Sequence, residues 1–299
     1  MGDLKVKLDF FIIGAAKSGT TWLSENLSKH PDLFIPKEKE LGYFCERNYL
    51  YPFQSNPLYL GNNERFESYF PRAVSGQLLG EGTTSYLWDS KAPENIFRHN
   101  KKAKLIAILR NPIERLISHY RYWLHLGIIP KRNILDVIKE RPEMLEMGKY
   151  SVQLKRYLDL FPTDQLLVLL YDDLMLDDQQ VLLSAEEFLG VQQYFPEGIT
   201  QIVNSSRQAR FWFLNRSISK VKIWVRNKGI DYDHISYVSK KIGLGSPLQR
   251  LMQINSVNAE AKQLLDIASL ERLYEYYSED ILFLEKKLMR DLSSWIPSA

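Results

Sequence analysis

The residues best suited to chemistry form a glycine-rich stretch, GAAKSGTT, at positions 14 to 21. A phosphate-binding P-loop reads G-x-x-x-x-G-K-[ST], and Gly14, Gly19 and the final threonine of the stretch match it. Thr20 stands where the lysine belongs, and Lys17 comes three residues early. Two glycines permit a turn whose backbone N–H groups, with the dipole of a following helix, attract an anion. The stretch therefore predicts a phosphate site with a displaced lysine.

A strand, a turn and a helix would position this loop. The apolar run at 8 to 13 predicts the strand, and the spacing of apolar residues in TWLSENLSKH predicts the helix. Continuous apolar runs at 77 to 80, 104 to 110 and 165 to 171 are typical of buried parallel strands, and helical stretches lie between them. The predicted fold class is α/β, a P-loop-type doubly wound parallel sheet flanked by helices. We expect a single domain over the whole chain, with a helical C-terminal part.

Composition narrows the class of protein. The chain is 45% apolar and 25% charged, as in ordinary globular proteins. Its net charge of +3 is too small to indicate a nucleic-acid partner. No apolar run approaches the roughly 20 residues that span a bilayer, and the single cysteine, Cys45, excludes an internal disulfide. We expect a cytoplasmic protein without a transmembrane segment, in which Cys45 is a buried bystander.

The glycine-rich loop and the segment LIAILRNPIERLISHYRYW resemble two signatures of sulfotransferases that use 3′-phosphoadenosine 5′-phosphosulfate (PAPS). In that family the lysine belongs at the early position. The resemblance implies that Lys17 contacts the oxygen bridging phosphate and sulfate. It also implies that Arg110 and Ser118 bind the 3′-phosphate, as a guanidinium and a hydroxyl can; a structural ion pair is the alternative for Arg110. The cofactor residues implied in the loop are Lys17, Ser18, Gly19, Thr20, Thr21 and Trp22.

Two further stretches, KEKELGYF at 37 to 44 and GEGTTSYL at 80 to 87, resemble the heparan-sulfate type of sulfotransferase domain and its bacterial relatives. There an acidic residue three positions before an F-F or Y-F pair is the general base. The resemblance implies Glu40 as the base, with Glu38 as second choice. The soluble relatives that sulfate steroids and phenols use a histidine instead, and His30 and His119 are the candidates weighed, both more readily explained as structural.

The chain departs from the heparan-sulfate type at several positions. Gly82 replaces the lysine of an E-K-[ST] motif, and Gly42 replaces a histidine found in some members. NSSRQAR stands where a K-G-R loop is expected, so Arg207 or Arg210 is assigned to the 3′-phosphate. Residues 204–265 are largely unmatched and are expected to form a variable segment, on the acceptor side or as a lid.

The resemblance implies transfer of a sulfuryl group from PAPS to a hydroxyl or amine, with 3′-phosphoadenosine 5′-phosphate (PAP) as by-product and no metal. The expected acceptor is a natural product or saccharide, and the expected setting is bacterial tailoring chemistry. One alternative is a magnesium-dependent kinase that uses Asp172 or Asp173, at the end of another apolar run. Another is a non-catalytic nucleotide-binding or lipid-surface protein whose basic, aromatic segment 204–228 contacts the lipid.

Overall fold

The computed structural model describes residues 4–48, 51–56, 59–70, 76–196, 207–209, 211–227, 256–258 and 265–296. The chain divides into two compact units. The first unit comprises Met1–Arg115, Glu146–Ile202 and Glu271–Ala299, and the second comprises Leu116–Leu145 and Val203–Leu270. The expectation of one domain over residues 1–299 stays a prediction.

A parallel five-stranded sheet forms the centre of the first unit. Its strands, in spatial order, are β2 (Leu33–Phe34), β5 (Leu78–Gly82), β1 (Phe10–Gly14), β6 (Lys104–Leu109) and β7 (Leu166–Leu170). Strand β1 is central, and its Phe10 pairs with Gly80 on one side and Lys104 on the other. Because the strands are parallel, the chain leaves β1, β5 and β6 at one common edge. That edge carries the candidate site.

Helices and short elements complete both units. The helices of the first unit are α1 (Thr20–Leu27), α2 (Asn63–Glu67), α3 (Ser85–Trp88), α4 (Ala92–His99), α8 (Tyr150–Leu158), α9 (Tyr171–Leu176) and α10 (Asp178–Leu189). The second unit holds α6 (Ile134–Glu140) and α11 (Trp212–Asn227), while α5 (Pro112–Leu126), α7 (Glu143–Glu146) and α12 (Ile267–Leu288) have residues in both. Two antiparallel pairs join β3 (Arg47–Asn48) to β4 (Tyr51–Ser55) and β8 (Arg207–Ala209) to β9 (Ser256–Asn258), and 3-10 turns lie at Thr163–Gln165 and Ser293–Trp295.

Both faces of the sheet are covered, as the continuous apolar runs predicted. Successive side chains of a strand point to opposite faces. On one face Phe10 and Ile12 pack in a core that also holds Trp22 of α1. On the other, the Phe11 ring lies edge-on to Phe44, with 5.4 Å between centroids. The predicted α/β sheet flanked by helices is therefore confirmed.

The C-terminal helix α12 also belongs to this architecture, as predicted. Its Asp280 carboxylate accepts hydrogen bonds from the backbone N–H groups of Tyr150 and Ser151, at 3.0 and 2.8 Å. These are N–H groups of the first turn of α8, which have no partner within their own helix. Asp280 thus caps α8, and the negative charge suits a helix N-terminus.

In the second unit, α11 accounts for most of the basic, aromatic segment 204–228. The Asn215 side chain donates to the carbonyl of His125 at 2.6 Å, which joins α11 to α5 within this unit. Phe213 and Trp224 remain more than half exposed. Across the described residues, no helix combines the length and the apolar character needed to cross a membrane.

Candidate active site

The glycine-rich loop connects β1 to α1, as predicted. Gly14 has φ +154°, and a Cβ there would lie 2.7 Å from Cβ of Leu87. Gly19 caps α1 in the left-handed conformation, with φ +94°, and a Cβ there would lie 2.6 Å from Cδ2 of Leu174. Both positions therefore require glycine, for conformation and for space. The turn directs the chain into the N-terminus of α1, which favours an anion.

Lys17 lies at the middle of this loop and is half-buried. Its backbone has φ +72°, in the left-handed region that residues with a side chain rarely adopt. Burial first, and then the positive charge of Arg110, lower the pKa of its ammonium from 10.5 to about 8. Strained backbones and displaced pKa values cluster at functional sites. An anion bound here would stabilise the protonated form of Lys17.

Arg110 follows β6 and lies beside the loop. Its Nη1 is 3.5 Å from the carbonyl oxygen of Lys17, and its guanidinium stacks 4.4 Å from the centroid of the Tyr171 ring. Nε and Nη2 both donate to Oε2 of Glu114, at 3.0 and 2.8 Å. Arg110 thus forms the ion pair considered as its alternative role, with a half-exposed partner. Such exposed pairs contribute little, so a phosphate could displace Glu114.

Glu40, the predicted base, is held by the turn that follows β5. Its Oε2 accepts from the backbone N–H of Thr84 at 3.0 Å, and its Oε1 accepts from the Thr84 hydroxyl at 2.9 Å. The Glu40 backbone donates to the carbonyl of Gly82 at 3.0 Å and has φ +59°. Burial raises the pKa of the Glu40 carboxyl, while the ammonium of Lys39 and the Thr84 hydrogen bonds oppose that rise. A carboxylate with a raised pKa is a better proton acceptor.

A second carboxyl group, that of Glu81 in β5, lies behind Glu40 and is only 1% exposed. The Thr83 hydroxyl donates a short hydrogen bond to Glu81 Oε1 and accepts from the backbone N–H of Gly42 at 3.0 Å. Burial raises the pKa of Glu81 to about 7, and the nearby charge of Glu40 acts in the same direction. The two carboxyl groups therefore differ in exposure, and the ammonium of Lys39 lies near both of them.

Of the two glycine departures, the one at Gly42 has a steric explanation. Gly42 has φ +71°, and a Cβ there would lie 2.8 Å from Nδ2 of Asn56, so the histidine of some relatives does not fit this backbone. Gly82 has an ordinary φ, and a Cβ there would meet Cε of Lys39 at 3.8 Å. Lys39 is half-buried, and its Nζ donates to the Thr21 hydroxyl at 3.1 Å. Sequence reasoning missed Lys39, although it precedes Glu40.

The other predicted loop residues divide between the site and the core. Thr21 is exposed at the N-terminus of α1, whereas Ser18 and Thr20 are buried. The Trp22 side chain packs in the core below the sheet, which leaves only its backbone for a phosphate. Their roles in binding a cofactor stay predictions.

The residues assigned to the 3′-phosphate are divided between the two compact units, and one of them lies outside the described residues. Ser118 lies in the part of α5 that belongs to the second unit. The backbone of Arg207 lies in β8, also in the second unit, and Arg210 lies outside the described residues. Arg110 belongs to the first unit and lies beside the loop, and the other assignments stay predictions.

The alternative bases have other surroundings. Glu38 is exposed. Both ring nitrogens of His30 make structural bonds, since Nε2 lies 2.8 Å from the carbonyl of Gln192 and Nδ1 accepts from the N–H of Asp32 at 3.0 Å. His119 is buried against the Trp123 ring, 4.4 Å between centroids, in the second unit. These positions support a structural role for both histidines.

The acids of the kinase alternative also have structural partners. Asp172 Oδ2 accepts from the Trp295 indole N–H at 2.6 Å. Asp173 forms a two-point ion pair with Arg290, at 2.7 and 2.9 Å. Within the described ranges, no group of three or more His, Cys, Asp or Glu side chains is placed to hold a metal ion. Cys45 is buried, as expected, and burial raises the pKa of its thiol.

A small pocket adjoins the loop and the turn that holds Glu40. Its lining includes Ala15, Ala16, Thr84, Met147 and Gln153. Gln153 is 3% exposed, and its Nε2 donates to the carbonyl of Glu146 at 2.9 Å. Among the described residues its Oε1 has no hydrogen-bond partner. A buried acceptor without a partner is unfavourable, and the pocket has room for about one water molecule that would donate to it.

Comparison with solved structures defines the class of fold. The crystal structure of a sulfotransferase from Alicyclobacillus acidocaldarius covers 98% of this chain and 100% of its own, with a TM-score of 0.68 and 22% identity. The sulfotransferase domain family matches residues 7–211, which include the loop, Glu40 and Arg110. The chain therefore belongs to the sulfotransferase family.

Curated relatives share shorter regions with the chain. The membrane-associated sulfotransferase kil1 of Dictyostelium discoideum is 34% identical over 153 residues, 48% of this chain and 30% of its own length. The human heparan sulfate glucosamine 3-O-sulfotransferase 3B1 is 28% identical over 190 residues, 61% of this chain and 46% of its own. The chain thus spans less than half the length of these relatives.

Proposed function

We propose that this protein transfers the sulfuryl group of PAPS to a hydroxyl or amine of a small polar acceptor, with Glu40 as general base and without a metal. One contact carries the proposal. The hydrogen bond from Lys39 to Thr21, 3.1 Å long, joins the segment of Glu40 to the N-terminus of α1. The candidate base therefore lies next to the candidate phosphate loop, as in-line transfer between two bound groups requires.

The donor side of the site fits a phosphosulfate. The loop offers backbone N–H groups at the start of α1, the hydroxyl of Thr21 and the ammonium of Lys17. Arg110 adds a guanidinium beside Lys17. These are cations and neutral donors, the groups that bind oxyanions. When bound, PAPS would supply a sulfuryl group on a phosphate leaving group, whose negative charge Lys17 would stabilise.

On the acceptor side, Glu40 would take the proton of the attacking hydroxyl or amine. The new bond forms from the acceptor oxygen or nitrogen to sulfur, and the bond from sulfur to the bridging oxygen breaks, which releases PAP. Burial of Glu40 raises its pKa and so its strength as a base, while its two hydrogen bonds to Thr84 fix its orientation.

We propose a saccharide or natural product as the acceptor. The human relative's name specifies a heparan sulfate glucosamine acceptor, which supports the saccharide. A setting in bacterial tailoring metabolism and a cytoplasmic location remain our proposals.

The test is transfer of radiolabelled sulfate from PAPS, in EDTA, to a panel of glucosamine oligosaccharides, amino sugars and aliphatic alcohols. We expect labelled product from wild type and from Glu38→Gln, the matched exposed control. Glu40→Gln should lower kcat by about 10² to 10⁴-fold, the usual contribution of a general base. Transfer at the wild-type rate by Glu40→Gln would refute the assignment of the base. Phosphate transfer from ATP that EDTA abolishes would instead support the kinase.

A further inference from the structure

Lys39 is the feature of the site that the family resemblance does not assign. It precedes Glu40, and its ammonium lies at the N-terminus of α1, where it donates to the Thr21 hydroxyl at 3.1 Å. An ammonium has three donors, and in the described residues this bond uses one of them. A lysine is thus placed between the candidate base and the candidate phosphate loop.

The stem of Lys39 passes beside Gly82, at the end of β5. A Cβ on Gly82 would lie 3.8 Å from Cε of Lys39, so the lysine stem passes over the end of β5. The hydrogen bond from the Glu40 backbone N–H to the Gly82 carbonyl, 3.0 Å long, holds the segment of Lys39 and Glu40 at the end of β5. A cation therefore occupies the space above position 82 although the residue at that position carries no charge.

The electrostatic surroundings of Lys39 act on its protonation. Burial lowers the pKa of Lys39, while the carboxyl groups of Glu40, Glu25 and Glu81 oppose that effect. The ammonium in turn favours the ionised form of Glu40. The carboxyl groups thus favour the protonated form of Lys39, and a protonated ammonium can donate charge-assisted hydrogen bonds to an oxyanion.

We propose that Lys39 is a second oxyanion-binding cation of the site, which together with Thr21 binds the sulfuryl oxygens of a phosphosulfate beside Glu40. This inference rests on the proposed function. Lys17 would bind the phosphate side of the scissile bond and Lys39 the sulfuryl side, so negative charge that develops on either side meets a cation. Lys39 comes directly before the candidate base, and it supplies a positive charge near position 82, where the heparan-sulfate type carries a lysine and this chain carries Gly82.

Equilibrium binding without acceptor tests the proposal, because PAPS carries the sulfuryl group and PAP does not. We expect Lys39→Met to weaken PAPS about tenfold or more, as the loss of a charge-assisted hydrogen bond does. Its affinity for PAP should stay within about twofold of wild type. Lys37→Met, an exposed lysine on the same segment, is the matched control and should bind both ligands as wild type does.

A rescue variant separates loss of the charge from loss of the fold. Gly82 has an ordinary φ, and the nearest atom to a Cβ there is Ser24 Oγ at 3.3 Å, so a side chain needs only a small adjustment. We expect Lys39→Met/Gly82→Lys to regain most of the lost affinity for PAPS. Equal weakening of PAPS and PAP by Lys39→Met, or a folded double variant without any regain, would overturn the proposal. A wild-type protein that binds neither ligand would instead overturn the proposed function.

Discussion

Glu81→Gln should stabilise the protein at alkaline pH, because Glu81 is buried among groups that favour its neutral form. Burial first, and then the charge of Glu40, raise the pKa of the folded-state carboxyl from 4.5 to about 7. Between pH 4.5 and about 7, the folded protein therefore keeps on Glu81 a proton that the unfolded chain has released. The stabilisation that Glu81 provides is complete below pH 4.5 and is lost as the pH rises to about 7.

The size of the effect follows from the same interval of pKa. The rise of the Glu81 pKa from 4.5 to about 7 corresponds to about 3 kcal/mol in the free energy of unfolding, as an upper bound. A glutamine keeps an oxygen that accepts from the Thr83 hydroxyl and cannot ionise. Glu81→Gln should therefore resemble wild type at acidic pH and exceed its stability by up to about 3 kcal/mol at alkaline pH.

Urea unfolding of wild type, Glu81→Gln and Glu38→Gln, at about pH 5 and about pH 8, measures this difference. Glu38 is exposed, so its variant should follow wild type at both pH values. If Glu81→Gln and wild type have the same free energy of unfolding at the higher pH, Glu81 does not titrate as its burial requires. A less stable variant at both pH values would show that the carboxyl contributes a bond glutamine cannot replace.

Three further predictions concern the loop and the base. Affinity for PAP should fall as the pH rises through about 8, the pKa of Lys17. Calorimetry should show that PAP binding takes up protons and that Lys17→Met abolishes this uptake. Proton uptake that persists in the variant would contradict the prediction. Gly76 has φ +98° and open space around it, so we expect Gly76→Ala to lower the free energy of unfolding by about 1 kcal/mol. The methyl group of Gly19→Ala would also overlap Leu174, so this variant should lose on the order of 2 kcal/mol more in thermal unfolding. Equal losses for the two variants would refute the overlap. The acid limb of kcat should lie above pH 4.5, because burial raises the pKa of Glu40; a limb at or below that pH would mean a solvated base.

The sequence predicted the fold because the signal for it was local. Continuous apolar runs require a sheet covered on both faces, and those at 104 to 110 and 165 to 171 became β6 and β7 within one residue at each end. Helical stretches were predicted between these two runs, and α5 begins there at Pro112. A proline at the first position of a helix marks its start, which explains the accuracy there.

The site was predicted only where a motif names the residue. Lys17 was found in the glycine-rich loop and Glu40 through the family resemblance, and both have a left-handed backbone. Lys39 and Thr84 were missed, because their importance comes from contacts across 18 and 44 residues of sequence. The glycine at position 82 was seen as the loss of a cation. No periodicity shows that a lysine from another segment passes over that glycine.

The most direct test of the account is calorimetric titration of the protein in EDTA with PAP and with ADP. Each nucleotide has two phosphates, but PAP carries the second one on the 3′-hydroxyl, where a PAPS site recognises it, and ADP carries it on the 5′-phosphate. We predict that PAP binds at least about tenfold more tightly, the contribution of one charge-assisted contact, and that Arg110→Ala removes the difference. Equal or tighter binding of ADP, with a requirement for magnesium, would contradict the assignment of the loop to PAPS.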